Sequence, residues 1–318
     1  MNKRRFFVTF LIISLFTVLA ACGSNNGGGT GTSEGTKAPE ATTGSDGGAN
    51  QAPQNGTLDL GQKTITIGVT PWTSTIPPTY VAKNILEQMG YTVKLQEADA
   101  GVVYAGLAKG DIDVFMDAWL PDTHKNYMDK YGNSIEDVAV SYPDGELGWV
   151  VPAYVEGITS IEDLKGKEAT FDHTIYGIEE GAGIMQTTEA MIPAYGLDLK
   201  LLSSSEAGML SQVKRAIDKK EPILFLGWRP HSMFAQWDLK VLDDPKGFMK
   251  TQEVHVVAHK GWNEVSPAAY AFFKNWHIDV GDVEQMILEI EDGKKPEDVT
   301  QAWIDAHQDA VQSMIQSK

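Results

Sequence analysis

One cysteine, Cys22, is all that the 318 residues contain, so no disulfide within the chain holds the fold together. Basic side chains are also scarce, with 26 Lys and Arg against 43 Asp and Glu and a formal charge of −17. Three of the basic groups are Lys3, Arg4 and Arg5; a chain starting at residue 22 keeps 23 against 43, a charge of −20. A balance that acidic argues against nucleic acid as a partner and against docking on anionic headgroups. Long apolar runs are missing beyond residues 6–21, and that run is shorter than the roughly 20 residues that span a bilayer as a helix. Residues 23–57 contain no Val, Ile, Leu, Met or aromatic residue and cannot build a core. There is no Gly-x-x-x-x-Gly-Lys-Ser/Thr loop and no His-Glu-x-x-His, and the Gly-x-Ser-x-Gly match at Gly31-Thr32-Ser33-Glu34-Gly35 falls in that core-free stretch, where no strand-turn-helix elbow can form, so the commonest enzyme signatures carry nothing here.

What is present begins with a positively charged start, an apolar run and small residues, which predicts a secretory signal over residues 1–21. The stretch Leu19-Ala20-Ala21-Cys22-Gly23 resembles the lipobox of bacterial lipoproteins, in which the cysteine is diacylated and becomes the mature N-terminus. A leftover cysteine beside an ordinary cleavage site is the alternative. Residues 22–60 then read as the lipidated cysteine and a flexible tether of about 30 Å root-mean-square reach. Residues 61–318 read as the ligand-binding domain, held by its anchor at the outer face of the cytoplasmic membrane.

Strand-like runs alternate with helical patterns through that domain, which predicts an α/β fold with largely parallel sheets. Strands are expected at residues 64–69, 92–96, 112–115, 147–154, 175–178, 199–202, 223–226 and 254–258, and helices at 79–89 and 182–195, with a helical pattern after Glu264. An internal echo suggests two lobes. Asp111 to Pro121 and Glu221 to Pro230 each read as a buried strand ending in Trp-x-Pro, preceded by a helical segment closing on lysine. The expected crossing follows the turn Tyr142-Pro143-Asp144-Gly145, giving one lobe of about 61–150 with 256–318 and a second of about 151–255. Ligands of open α/β sheets bind at the carboxyl ends of strands, which here carry tryptophans.

Any one of the eight tryptophans is compatible with core packing, and Trp149, Trp237, Trp262, Trp276 and Trp303 are read that way. Trp72, Trp119 and Trp228 differ, because each adjoins a strand end and a proline that stiffens its loop. Together they suggest an aromatic cage for a quaternary ammonium, a cation with no N–H to donate that is attracted to indole faces. The stretch 175–186 is a strand entering Gly181-Ala182-Gly183 at a helix start, where unpaired N–H groups suit an anion. A turn that needs glycine for backbone geometry alone is the other reading, and Gln186 breaks the dinucleotide fingerprint. Of the seven histidines, His124 and His231 follow the two Trp-x-Pro turns and either reach the cleft or cap the next helix. His255 and His259 share a strand face without a third ligand nearby and are read as structural. No metal or cofactor is implied.

From about Lys63 onward the chain resembles the glycine betaine and proline betaine binding lipoproteins of osmoprotectant ABC importers. The resemblance is carried by residues 101–130, Ser160-Ile161-Glu162-Asp163-Leu164-Lys165, residues 181–185, Gly227-Trp228-Arg229-Pro230-His231 and Leu242-Asp243-Asp244-Pro245-Lys246. It implies a two-lobed periplasmic-binding-protein-like fold with a ligand cleft between the lobes. It also implies a prism of Trp72, Trp119 and Trp228 around the trimethylammonium group, and a carboxylate held by the N–H groups of Gly183 and Ile184 and by His124. The implied partners are glycine betaine or a similar zwitterion, and the permease and ATPase of an importer. Two departures stand out. Thr73-Ser74-Thr75 occupies a place where the family usually has an acidic and then small apolar residues, and Ser232 stands where it tends to have tryptophan. Carnitine or proline betaine as ligand, and a sensor that presents its closed form to a membrane receptor, remain open alternatives.

Overall fold

The computed structural model describes residues 59–316; Cys22, the signal and most of the tether lie outside the described residues. Nine strands, β1 (Thr64–Val69), β2 (Thr92–Glu97), β3 (Val114–Leu120), β4 (Ile135–Pro152), β5 (Thr174–Tyr176), β6 (Lys200–Leu202), β7 (Phe225–Arg229), β8 (Leu239–Val241) and β9 (Gln252–His259), alternate with helices. The helices that matter for the site are α1 (Ile76–Gln88), α2 (Ala100–Lys109), α3 (Lys125–Tyr131), α4 (Gly183–Tyr195) and α5 (Glu206–Lys219). Five more helices run from Trp262–Val265 to Gln308–Ile315. None of the described helices is long and apolar enough to cross a membrane.

The strands form two sets in a two-lobed α/β fold of the periplasmic-binding-protein kind. In the first, β1 pairs in parallel with β2 and β3, and β9 lies antiparallel to both β3 and β4. In the second, β7 and β8 lie antiparallel to β4, while β5 is parallel to β6 and β7. β4 belongs to both. Its residues up to Gly145 pair with β9, and from Glu146 they pair with β7.

The sequence reading treated 142–145 as a turn before a separate strand, and here the structure corrects it. The Pro-Asp-Gly signature is absorbed into one continuous strand, whose register shifts between Tyr142 and Gly145 and whose Asp144 takes φ 63°. A bulge lets the strand bend and change partners, which a free turn would not do. Gly145 is needed at this crossing because a Cβ there would lie 2.7 Å from the ring of Trp119.

Every residue of β3 is buried, which explains its unbroken apolar run around a single Asp117. Trp149, Trp262, Trp276 and Trp303 are buried as expected of core residues, and three find polar partners for their indole N–H. Trp149 donates to Thr188 (3.1 Å), Trp276 to Ser141 (2.8 Å) and Trp303 to Asp282 (2.9 Å). Trp237 is only half-buried at the core margin.

Candidate functional site

A pocket draws its walls from both strand sets. It brings together all six of the ligand-site residues singled out from the sequence, Trp72, Trp119, Trp228, His124, Gly183 and Ile184. Ser74, Thr123, Leu147, Ile178 and Ala182 complete the lining.

Trp72 follows β1, while Trp119 and Trp228 are the penultimate residues of β3 and β7, inside the strands rather than in the loops after them. Their edges are fixed from behind. Trp72 Nε1 donates to Glu179 Oε1 at 2.5 Å, and Trp119 Nε1 donates to Asp117 Oδ1 at 3.0 Å. The other oxygen of Asp117 accepts from Ser74 Oγ (3.1 Å) and Thr75 Oγ1 (2.6 Å). Trp228 packs edge-on to His231, with ring centroids 4.9 Å apart. With the N–H groups of Trp72 and Trp119 engaged, these side chains have only ring surface left to present.

His124 is buried, and burial pushes its pKa down to about 3, so the ring is neutral. Its Nδ1 accepts the backbone N–H of Trp119 at 3.1 Å and lies 3.2 Å from the Tyr104 hydroxyl. An accepting Nδ1 fixes the tautomer with the proton on Nε2, which makes His124 a neutral donor at the cavity wall. Its position precedes α3, yet it makes no side-chain cap there. His231 differs: its Nδ1 accepts the Met233 N–H at 3.0 Å at the start of a short helix, and it sits behind Trp228 rather than in the cavity lining.

α4 begins at Gly183 and Ile184, and its N-cap residue Ala182 supplies no side-chain oxygen. The amides that find a carbonyl at this end are those of Met185 (3.1 Å) and Gln186 (3.3 Å), both to Ala182. The N–H groups of Gly183 and Ile184 therefore stand at the positive end of a 13-residue helix, a place that favours an anion. Gly183 is packed under the turn before α3: a Cβ on it would lie 2.5 Å from Thr123 Cγ2, 2.9 Å from His124 Cδ2 and closer still to the Thr123 carbonyl oxygen.

Three carboxylates around this cavity escaped the sequence reading. Burial raises Asp117 to about 6, opposed by its bonds from Thr75, Ser74 and Trp119, and it is ionised at neutral pH. Burial likewise raises Glu179, opposed by the Trp72 bond. Glu206, also buried, accepts the Thr73 N–H at 3.1 Å and lies 3.2 Å from His231 Nε2. An acidic residue within a fully buried strand was a signal that could have exposed Asp117. Glu206 reads as an ordinary first-turn acid of a helix and carries no such mark. The departure at Thr73-Ser74-Thr75 now has a structural description, since the Thr73 N–H and the Ser74 and Thr75 hydroxyls are met by carboxylates from elsewhere in the chain. His255 binds Asp137 (2.9 Å) and Glu253 (3.4 Å), and His259 Nδ1 lies 2.8 Å from the Leu107 carbonyl, so the two strand histidines have separate structural partners.

The chain is 40% identical over 144 residues to the glycine betaine/carnitine transport binding protein GbuC of Listeria monocytogenes, covering 44% of this chain and about half, 48%, of that relative. The fold matches lactococcal OpuAC, solved in its closed-liganded conformation with glycine betaine, at TM-score 0.76 and 33% identity over 80% of this chain and 100% of that one. It also matches an ABC-transporter choline binding protein in complex with choline, at TM-score 0.75 and 27% identity over 79% of this chain and 91% of that one. The family model for the substrate binding domain of ABC-type glycine betaine transport systems matches residues 63–306. The chain belongs to that family, one of binding proteins rather than enzymes.

Proposed function

We propose that this protein captures glycine betaine outside the cytoplasm and hands it to the permease of an ABC importer. The observation that carries the reading is the single cavity in which three indoles meet a neutral histidine donor and an uncapped helix start. Trp72, Trp119 and Trp228 surround the trimethylammonium group, each face contributing roughly 0.5 to 2 kcal/mol once water is excluded. The carboxylate accepts from the backbone N–H groups of Gly183 and Ile184 and from His124 Nε2, charge-assisted bonds about twice as strong as neutral ones. The lobe of about 61–150 with 256–318 carries Trp72, Trp119 and His124. The lobe of about 151–255 carries Trp228 and the α4 start, and closure around the ligand joins the two halves of the site.

Choline keeps the trimethylammonium group but ends in a hydroxyl, so it is expected to bind far more weakly than glycine betaine in a calorimetric titration. Equal affinity would remove the anion role of Gly183 and Ile184 and favour the reading suggested by the choline-binding relative.

Anchoring at Cys22 is part of the same proposal, supported by its position behind a signal and before a core-free tether. Cys22→Ala is expected to abolish incorporation of labelled palmitate in cells; unchanged labelling would exclude the lipid anchor.

A further inference from the structure

We infer that Glu206 is a positioning residue for ligand retention, a clasp that ties the loop bearing Trp72 to the segment bearing Trp228 when the lobes meet. The inference rests on the betaine reading above and concerns what holds the closed cage together. Glu206 is the first residue of α5, yet it is not needed as that helix's cap: Ser205 Oγ already accepts the Gly208 N–H at 3.1 Å. Its carboxylate is buried and divided between two donors. Oε2 accepts the backbone N–H of Thr73, the residue next to Trp72, at 3.1 Å. Oε1 lies 3.2 Å from His231 Nε2, which carries the proton because Nδ1 accepts the Met233 N–H. His231 in turn packs edge-on against Trp228. One carboxylate thus links the two tryptophans across the cleft, through donors that a neutral side chain cannot satisfy together.

The Thr73 bond exists only while the lobes are closed, so its loss falls on ligand release rather than on folding. Glu206→Gln keeps the size but offers one accepting oxygen in place of two. Thr73→Pro removes the same hydrogen bond from the other side. Proline is well tolerated as the first residue of a helical turn, Trp72 before it is extended at ψ 141°, and the Thr73 hydroxyl makes no hydrogen bond that would be lost.

Stopped-flow tryptophan fluorescence of the purified protein with glycine betaine measures release and capture separately. Each variant is expected to release betaine about ten- to a hundredfold faster, with the capture rate within about threefold of wild type and the ligand-free melting temperature nearly unchanged. Because the two substitutions break links of one chain, Thr73–Glu206–His231, the double variant should release no faster than the faster single variant. Unchanged release in both single variants, or effects that multiply in the double variant, would overturn the clasp while leaving the ligand reading intact. A wild-type protein that binds no betaine would sink the ligand reading and the clasp with it.

Discussion

Gly183→Ala is expected to weaken glycine betaine binding by about ten- to a hundredfold or more while leaving the ligand-free protein as stable as before. The added methyl would meet Thr123 and the edge of the His124 ring, and the nearest of these atoms is a backbone oxygen that has no rotamer to escape into. Overpacking of this kind costs about 1 to 3 kcal/mol, and each 1.4 kcal/mol is a factor of ten in affinity. The cost arises only where the α4 start meets the turn before α3, that is, in the closed form. Alanine is otherwise the better helix residue, so the open form has no reason to suffer. Calorimetry with betaine, paired with thermal unfolding without ligand, separates the two effects. A variant that binds normally would mean that these surfaces do not meet in the liganded protein; one that loses ligand-free stability by the same amount would mean that the glycine serves the fold alone.

Local signals made much of the fold legible. β1 forms over the span expected from its alternating apolar residues, and both members of the internal echo are strands with tryptophan as the penultimate residue, β3 and β7. The first half of β4 was not legible, because residues 135–146 mix charges with a Pro-Asp-Gly signature that ordinarily ends a strand. What holds this segment extended is pairing with β9, more than a hundred residues away in the chain. β8 is a three-residue strand at the sheet margin, too short to leave a periodic pattern.

The same division runs through the site. The tryptophans, His124 and the glycine turn each carried a signal in their own neighbourhood. Glu179 and Glu206 act through partners 107 and 133 positions away, Trp72 and Thr73, and no local pattern encodes such a meeting. Asp117 lies two residues from Trp119, but its second oxygen serves Ser74 and Thr75, 43 and 42 positions away in the turn after β1.

The central claim is that the cavity recognises positive charge through indole faces, and 3,3-dimethylbutanoate tests it. This molecule replaces the quaternary nitrogen of glycine betaine with carbon and keeps the outline and the carboxylate. A pocket that is merely apolar would prefer it, because a neutral tert-butyl group is cheaper to take out of water than a cation. A cage of Trp72, Trp119 and Trp228 reverses that order. With two or three faces contributing about 0.5 to 2 kcal/mol each, betaine is expected to bind roughly tenfold to several thousandfold more tightly. Competition between the two ligands in a calorimeter reads the ratio directly. A ratio in that range is the expected result; a carbon analogue that binds as well as betaine, or better, would show that the three tryptophans are only apolar walls and would contradict quaternary-ammonium recognition.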